Sequence, residues 1–321
     1  MKKKIIIISG DPNSINSEII YKSWKKLNNS EKRKIYFIAN KSLLEKQFKL
    51  LRYNLKIQKV NNIHSKTSCK NLKIINIDLK YKDPFQISET NASTYVLKSL
   101  NYAHNLALKN EVMGIINCPI NKKLLIRKKI GVTEYLSKKC NIKNQSEVML
   151  IRNDKLSVCP VTTHIHIKNI SKKINKQKII NKVKTINNFF KKKFKKKPKI
   201  AILGLNPHNA ELVKGSEERN IIIPAINYLK KIKINVTGPH VADTIFINQY
   251  KNFDVIIGMF HDQVLAPFKS IFKFDAINLT LGLKYMRVSP DHGVGSDLIL
   301  KKKANPNSLI KCIKFINKYG K

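Results

Sequence analysis

Short runs of β-branched residues alternate with longer segments of helical period along this chain. The runs are IIIIS from Ile5, IYFIAN from Ile35, MGIINC from Met113, IAILGL from Ile200 and DVIIGM from Asp254. Continuous apolar runs of this length are typical of strands buried on both faces, as in parallel sheets covered by helices. The alternation therefore predicts an α/β fold of parallel strand–helix units in a doubly wound sheet. A chain of 321 residues can hold two such domains or one large unit.

The positive charge of the chain is high and dispersed. The formal net charge is +43, from 63 basic and 20 acidic residues, which alone would suit a nucleic-acid partner. However, the lysines are spread along the whole chain, arginine is scarce, and Ile, Asn and Lys are enriched together. We therefore expect a solvated surface and an anionic small substrate. The exception to test is the run KKKFKKKPK at Lys191–Lys199, which we interpret as the end of a helix stopped by Pro198.

Cysteine usage and the apolar runs bear on the compartment. The five cysteines show no CxxC spacing and are odd in number, which indicates a reducing compartment without a disulfide framework. The start, MKKKIIIISGD, has the basic beginning of a signal peptide, but its apolar run is short and leads directly into Gly10. We interpret it as a first buried strand. No run approaches the length of a membrane span, and we expect a cytoplasmic protein.

The stretch from Phe260 to Asp297 carries the densest chemistry in the sequence. It uses His, Asp, Gln, Arg, Thr and Gly at turn-like positions, whereas most of the chain is a mixture of Lys, Ile and Asn. Lys269, Asn278 and Arg287 in this stretch would suit an anion, because lysine offers a point charge and arginine a planar fork. The alternative is that they are ordinary surface residues of a basic chain.

Three histidines stand at or just after the ends of predicted strands in three different strand–helix units. They are His164, His208 and His261. Imidazoles from separate segments can bind one divalent metal and leave room for substrate oxygens, although a strand-end histidine is often structural. In THIHI, the period of two also predicts that His164 and His166 share one face of an extended strand. A single helix is expected to follow from Ile170 to Lys197.

Eight blocks of sequence share their order with a known family. They are GDPNSINSEI, NCPINKK, GVTEYL, VTTHIHIK, LGLNPHNAE, GPHVADTIF, FHDQVLAPFK and NLTLGLKYMRVSPDHGVGSDL. Across essentially the whole chain they resemble the 4-hydroxythreonine-4-phosphate dehydrogenase family of vitamin B6 biosynthesis. The resemblance implies an isocitrate/isopropylmalate-dehydrogenase-like fold with two α/β/α domains and a cleft between them. It also implies a homodimer whose interface completes each site. We place the first domain at 1–125 plus 295–321, and the second, with the metal and substrate residues and the dimer interface, at 126–294.

The same resemblance implies roles for individual residues. His164, His208 and His261 match the metal-binding histidines, with one histidine of each site coming from the partner subunit. Substrate-binding positions match at Thr133, Lys269, Asn278 and Arg287. We add Asp243 and Asp262 as candidates for proton transfer or for orienting a metal ligand. The loop residues Asp291, His292, Gly293 and Gly295 are candidates for the cofactor pyrophosphate, although turn and capping work would also explain Asp291, as it would Asp243 and Asp262.

The implied reaction is oxidation of 4-phosphooxy-L-threonine by NAD or NADP with a divalent zinc, magnesium or cobalt ion. The product, 2-amino-3-oxo-4-phosphooxybutanoate, would then decarboxylate to 3-amino-2-oxopropyl phosphate. Val132 stands where the family usually has a histidine, Ser14 and Asn16 where it usually has glycines, and Val264 and Ala266 depart from its small-residue pattern. Val132 leaves open a paralogue acting on 4-phospho-threonate or 4-phospho-erythronate. Two further alternatives are a basic nucleic-acid-binding protein that uses the Lys191–Lys199 run and an acyltransferase of the same broad fold.

Overall fold

The computed structural model describes residues 4–65, 67–128, 131–142 and 147–320. Twelve strands lie within these ranges: β1 (Lys4–Ile8), β2 (Ile35–Ala39), β3 (Ile57–Val60), β4 (Leu72–Asn76), β5 (Val112–Asn117), β6 (Val148–Arg152), β7 (Ser157–Pro160), β8 (Ile200–Leu203), β9 (Val236–His240), β10 (Val255–Gly258), β11 (Ile277–Leu281) and β12 (Arg287–Pro290).

Helices connect most of these strands. The α-helices are α1 (Asn16–Lys26), α2 (Asn29–Lys34), α3 (Lys41–Leu50), α4 (Glu89–Leu108), α5 (Val132–Lys139), α6 (Ile170–Lys173), α7 (Lys176–Phe189), α8 (Ile223–Lys231), α9 (Ala242–Ile245), α10 (His261–Phe272) and α11 (Asn307–Tyr319). Short 3₁₀ or π segments lie at Lys122–Lys128, Ile167–Asn169, Phe190–Phe194, Pro207–Leu212, Glu218–Ile222, Gln249–Asn252 and Ser296–Leu298. Within the described ranges, every helix is too short or too polar to cross a membrane.

The chain divides into two compact units. The first consists of Met1–Lys138 with Lys284–Lys321, and the second of Lys139–Leu283. These bounds differ from the predicted boundaries at 125 and 295. The chain returns to the first unit earlier than predicted because β12 pairs in parallel with β5, with Arg287 opposite Ile115. Most of α5 also belongs to the first unit, where the Tyr135 hydroxyl donates to Asn101 Oδ1 at 2.6 Å.

The first unit contains parallel strands in the order β3-β4-β2-β1-β5-β12. Its central strand β1 places four consecutive isoleucines, Ile5–Ile8, at 1% exposure or less. Such a strand must be covered on both faces, since alternate side chains point to opposite sides of a sheet. Both α4 and α11 contact β1 and β5. The predicted first buried strand is therefore confirmed.

The second unit contains strands in the order β11-β6-β7-β10-β8-β9. The last four are parallel, whereas β6 is antiparallel to both β7 and β11. A core of aliphatic and aromatic side chains, including Val158, Ile256 and Phe268, packs on these strands. The carboxyl ends of β7, β10 and β8 consequently lie side by side, and the loops that follow them carry the three candidate histidines.

Two local predictions in the second unit are wrong. Strand β7 ends at Pro160, and His164 has a positive φ of 45°, so His164 and His166 do not share the face of an extended strand. Tertiary contact ends the strand, because Thr162 donates both its N–H and its hydroxyl to the carbonyl of Met259. The predicted helix 170–197 is divided into α6 and α7, because the side chain of Asn175 accepts from Lys178 N and caps a new helix.

Candidate active site

His164 and His261 form an adjacent pair in the second unit. Their ring centroids are 5.5 Å apart and the rings are tilted by 40°. His164 lies on the loop after β7, and His261 is the first residue of α10, directly after β10. The two strands are parallel neighbours, with Pro160 opposite Gly258. The sheet therefore brings together two histidines that are distant in sequence.

The spacing of this pair suits two ligands of one metal ion. Metal–nitrogen distances of about 2.1 Å and a roughly tetrahedral angle place the centroids of two ligating imidazoles about 5 Å apart. His261 Nδ1 lies 2.6 Å from the Asp262 carboxylate, to which it donates a hydrogen bond. That contact favours the tautomer in which Nε2 can bind a metal.

His208 contacts carboxylates of its own surroundings: Glu211 and Asp243. It stands on the turn after β8, with Nε2 4.0 Å from Asp243 Oδ2 and Nδ1 3.6 Å from Glu211 Oε1. No three His, Cys, Asp or Glu side chains in the described ranges converge into a group that could hold a metal. The structure thus brings together two of the three predicted ligands, and the complete set remains a prediction.

The two candidate aspartates each face one of these histidines. Asp262 contacts His261, and Asp243 contacts His208 from the short helix α9. Both carboxylates are largely exposed, at 81% for Asp262 and 63% for Asp243. Either can therefore orient an imidazole or exchange a proton with solvent.

Asn278 and Lys269 are the substrate candidates of the second unit. Asn278 lies on β11, and its buried Oδ1 accepts no hydrogen bond from the described residues. Leaving a buried acceptor unpaired costs about 1–3 kcal/mol, which a bound donor would recover. Lys269 lies in the last turn of α10 with Nζ 5.7 Å from the ring centroid of Phe274.

Arg287 and Thr133 are in contact in the first unit. Arg287 Nε donates to Asn117 Oδ1 at 2.7 Å, and Nη1 donates to Thr133 Oγ1 at 3.3 Å. The arginine is 3% exposed, and burial lowers its pKa to about 10, so the side chain remains a cation at neutral pH. A buried guanidinium has a planar fork of N–H donors that is well suited to binding an anion such as phosphate or carboxylate.

Asn117 is a site residue that the sequence alone did not indicate. It is the last residue of β5, is 3% exposed and fixes the guanidinium of Arg287. The signal in the sequence is its position at the carboxyl end of a strand, immediately before the loop that carries Asn121 and Lys122.

The loop predicted to bind the cofactor packs on the first loop of the chain. Val294 O accepts from Ile15 N at 3.1 Å, and Asp291 N donates to Ser308 Oγ at 3.1 Å. Gly295 has a φ of 58°, and an added Cβ would lie 3.0 Å from Ile15 Cδ1, so a side chain at this position would be strained. At Gly293 an added Cβ would meet no atom within 4 Å, which leaves its backbone open to a ligand.

The polar residues that replace glycines in the first loop are used internally. Asn16 Nδ2 donates to Pro119 O at 2.8 Å, and Ser14 Oγ donates to Asp11 O. The Asp11 carboxylate accepts from Asn121 N at 3.1 Å, and burial raises its pKa. These bonds join the loops after β1 and β5.

The family model of the pyridoxal phosphate biosynthetic protein PdxA matches residues 31–316. The chain belongs to the PdxA family. A 4-hydroxythreonine-4-phosphate dehydrogenase of Sulfurihydrogenibium is 39% identical to this PdxA-family chain over 318 residues, covering 97% of it and 96% of the relative. The D-threonate 4-phosphate dehydrogenase of Pectobacterium atrosepticum is 32% identical over 246 residues, covering 74% and 75%.

Solved structures confirm the predicted fold of this PdxA-family member. The crystal structure of 4-hydroxythreonine-4-phosphate dehydrogenase from Klebsiella pneumoniae matches with a TM-score of 0.84 at 26% identity, covering 98% of this chain and 99% of the other. An isocitrate dehydrogenase from Methylococcus capsulatus matches with a TM-score of 0.51 at 10% identity, covering 98% and 84%, and shows the shared fold alone. The predicted dehydrogenase family and the isocitrate-dehydrogenase-like α/β fold are both confirmed.

Proposed function

We propose that this chain oxidises 4-phosphooxy-L-threonine with NAD or NADP, and that the product 2-amino-3-oxo-4-phosphooxybutanoate decarboxylates to 3-amino-2-oxopropyl phosphate. The observation that carries the proposal is the 39% identity to a 4-hydroxythreonine-4-phosphate dehydrogenase over nearly the full length of both chains. The buried guanidinium of Arg287 adds a suitable recognition group for a phosphorylated substrate.

A divalent zinc, magnesium or cobalt ion, held by His164 and His261 with His208 as the third ligand, would supply Lewis-acid stabilisation of negative charge on the substrate oxygens. Asp262 holds the ring of His261 in its binding tautomer. Asp243 lies 4.0 Å from His208, a longer contact than the 2.6 Å between Asp262 and His261. Asp243 is therefore the proposed acceptor of the proton of the substrate hydroxyl, while hydride passes from C3 of the substrate to the nicotinamide.

Substrate and cofactor are held by the remaining candidate residues. Arg287 and Thr133 would bind one anionic end of the substrate, and Lys269 and Asn278 the other polar groups. The loop formed by Asp291, His292, Gly293 and Gly295 would hold the pyrophosphate of NAD or NADP on open backbone N–H groups.

We also infer a cytoplasmic homodimer in which one subunit lends a histidine to the site of the other. Among the described residues, the three most exposed large apolar side chains belong to the second unit. These are Ile167 at 80%, Ile247 at 67% and Phe274 at 62%. Exposed apolar groups of this kind mark interaction surfaces when they are contiguous.

Subunit complementation tests this arrangement. Mixed dimers of His208→Ala and Arg287→Ala chains should recover activity that neither variant has alone, because one of the two sites in the mixed dimer would be intact. Sedimentation analysis should show a dimer. A monomer, or mixtures as inactive as the separate variants, would contradict a site shared by two subunits.

Reduction of the nicotinamide tests the reaction itself. Purified protein is given 4-phosphooxy-L-threonine, NAD+ or NADP+ and a divalent metal, and absorbance of the reduced cofactor is followed with and without a chelator. Reduction that the chelator abolishes is the expected result. Folded protein that reduces neither cofactor would contradict the proposal.

A second candidate substrate is 4-phospho-threonate. It is favoured by the similarity to the Pectobacterium D-threonate 4-phosphate dehydrogenase and by the apolar Val132, which lies directly before the Arg287 contact Thr133. Comparing kcat/KM on the amino substrate with kcat/KM on the hydroxy acids distinguishes the two enzymes. A preference for the hydroxy acids would reassign the chain to the paralogous activity.

A further inference from the structure

We propose that Glu218 is a positioning residue that places His208, and that Asn206 and Glu217 extend this support to the segment that follows His164. The inference rests on the proposed metal-binding role of these histidines. It concerns residues outside the predicted metal-binding and substrate-binding sets.

Glu218 is a fully buried carboxylate beside the loop that leads to His208. Its exposure is 0%. Oε1 accepts from Leu205 N at 2.7 Å and from Asn206 N at 2.8 Å, while Oε2 accepts from Asn206 Nδ2 at 3.0 Å. Three donors from two consecutive residues are therefore fixed by one side chain, and His208 follows two residues later.

The backbone that carries His208 needs such support. From His208 to Leu212, five consecutive residues other than glycine have φ between 46° and 59°. Each residue with a side chain loses free energy in this left-handed region, so a run of five persists only where surrounding contacts hold it. Asn209 Nδ2, which donates to Pro239 O at 3.2 Å, holds the turn from its other side.

Glu217 links the His208 loop to a second histidine segment. Its carboxylate accepts from Ser171 Oγ and from Asn206 Nδ2, the latter at 2.9 Å. Hydrogen bonds from Ser171 and Asn206 lower the pKa of Glu217, which remains ionised at neutral pH. Ser171 lies in α6, at the end of the segment that begins with His164. The amide of Asn206 thus donates to both Glu217 and Glu218. Through the bond of Glu217 to Ser171, this connects the His208 loop to the segment that follows His164.

A purely structural role is the competing explanation, and Asp254 provides the matched control. Asp254 also accepts a backbone N–H, from Lys199 at 2.9 Å, and a lysine ammonium, from Lys196 at 2.5 Å. It precedes β10 at the amino end of the strand, whereas the histidines follow the carboxyl ends. Asp254→Asn should therefore lower stability without changing metal binding.

The test is a titration with Co²⁺ alone, followed by its visible absorbance, on wild type, Glu218→Ala, Glu218→Gln and Asp254→Asn. We expect Glu218→Ala to weaken Co²⁺ binding about 10- to 100-fold, as is usual when support of a metal ligand is removed. Glu218→Gln should lose less, since its amide oxygen can still accept from the two backbone donors. Asp254→Asn should bind Co²⁺ as tightly as wild type, even if its melting temperature falls as far as that of Glu218→Ala.

Amide hydrogen exchange of residues 203–213 without metal separates this inference from the metal site. If wild type binds no Co²⁺, the proposed metal site is wrong. The support of the His208 loop by Glu218 would then stand only if Glu218→Ala still raises the exchange rate of this segment. Unchanged exchange would overturn it. Co²⁺ affinity of Glu218→Ala equal to wild type, in a folded variant, would also overturn the positioning role.

Discussion

Arg287 combines almost complete burial with a permanent charge, and few positions in a protein tolerate that combination without a purpose. Its guanidinium donates to Asn117 and Thr133, and the nearby carboxylate of Glu134 favours its charged form. Burying a guanidinium is costly, and an anionic ligand would offset that cost with charge-assisted hydrogen bonds. The residue is therefore more informative about the ligand than any surface lysine of this basic chain.

Replacing Arg287 by lysine should show whether its planar fork matters. Arg287→Lys keeps the charge but loses bidentate geometry, so we expect KM for the phosphorylated substrate to rise at least about tenfold, in line with the ~1.5–3 kcal/mol of a charge-assisted bond. Steady-state kinetics measures this. Arg33→Lys, at an exposed position in α2, is the control and should leave KM unchanged. Equal KM values for both variants would contradict the anion-binding role.

Asn278 allows ligand binding to be separated from stability. Because its buried Oδ1 accepts no hydrogen bond from the described part of the chain, Asn278→Leu removes an unpaired acceptor. We expect the free energy of unfolding to stay equal or to rise by about 1 kcal/mol, while KM for the substrate increases. Urea unfolding and kinetics on the same preparations measure both. A variant that is destabilised but keeps its KM would assign Asn278 to the fold alone.

The residues of the site differ in how far sequence could reveal them. His164, His208 and His261 follow strands and belong to recognisable blocks, so the sequence alone identifies them as candidates. Asn117 opens the block NCPINKK but was not singled out, and Glu218 lies in none of the blocks, since the importance of each lies in bonds to partners 170 and 12 residues away along the chain. Neither partner is indicated by local pattern.

At the scale of elements, Lys73 shows how a strand residue supports a neighbouring helix. It lies on β4 with 1% exposure, and its Nζ donates to the carbonyl oxygens of Lys32 and Arg33 at the end of α2. The ring centroid of Tyr36 is 4.3 Å away. Burial, reinforced by the nearby Lys4, lowers the pKa of Lys73 from 10.5 to about 8.

The depressed pKa of Lys73 predicts a pH dependence of stability. Between about pH 8 and 10.5 the folded chain has lost the proton that the unfolded chain still holds, so the free energy of unfolding rises with pH. The contribution is at most about 3 kcal/mol and is absent below pH 8. Urea unfolding of wild type and Lys73→Met at neutral and alkaline pH should show this extra rise in wild type only. Parallel pH profiles would contradict it.

Elements with a clear apolar stripe were predictable, and those shaped by tertiary contacts were not. Helix α11, Asn307–Tyr319, is an example of the first kind, because its buried residues Leu309, Cys312, Ile313 and Ile316 recur with the helical period. The alternation in THIHI after β7 predicts a strand, but no strand forms there. Alternation alone cannot reveal that Thr162 is bonded to the carbonyl of Met259, directly after β10. The break before α7 depends on the cap at Asn175, whose signal is weak among so many asparagines.

At the scale of the whole molecule, a net charge of +43 should make stability depend on salt. Like charges repel in the compact state, and ions screen them over about 10 Å at 0.1 M ionic strength. We expect the melting temperature to rise by several degrees between about 20 mM and about 500 mM NaCl. Calorimetry measures this, with the same osmolarity of glycerol as the control. A melting temperature that falls or stays constant with salt would contradict it.

The charge does not by itself make a nucleic-acid site. In the Lys191–Lys199 region, Phe190 is 2% exposed and Phe194 lies under the guanidinium of Arg152 at 4.5 Å, so their rings serve packing within the second unit. Stacking on bases needs exposed aromatic faces. The run also falls inside the region matched by the PdxA family model, at residues 31–316.

Fold class was predictable from the residues at this scale, whereas the exact bounds of the two units were not. Buried β-branched runs separated by helical segments suffice for a parallel α/β architecture. The boundary near residue 284 depends on the pairing of β12 with β5, strands about 170 positions apart, as the register of Arg287 with Ile115 shows. No local composition change marks that position.

The discontinuity of the first unit has a consequence for protein synthesis. During translation β5 leaves the ribosome long before β12 has been synthesised. One edge of β5 therefore has no partner strand while all of Lys139–Leu283 emerges. An unpaired edge is a site of aggregation. Chains whose translation stops before residue 284 would therefore lack Arg287 and would keep an unpaired, aggregation-prone edge at β5. We expect such chains to be degraded by quality-control proteases.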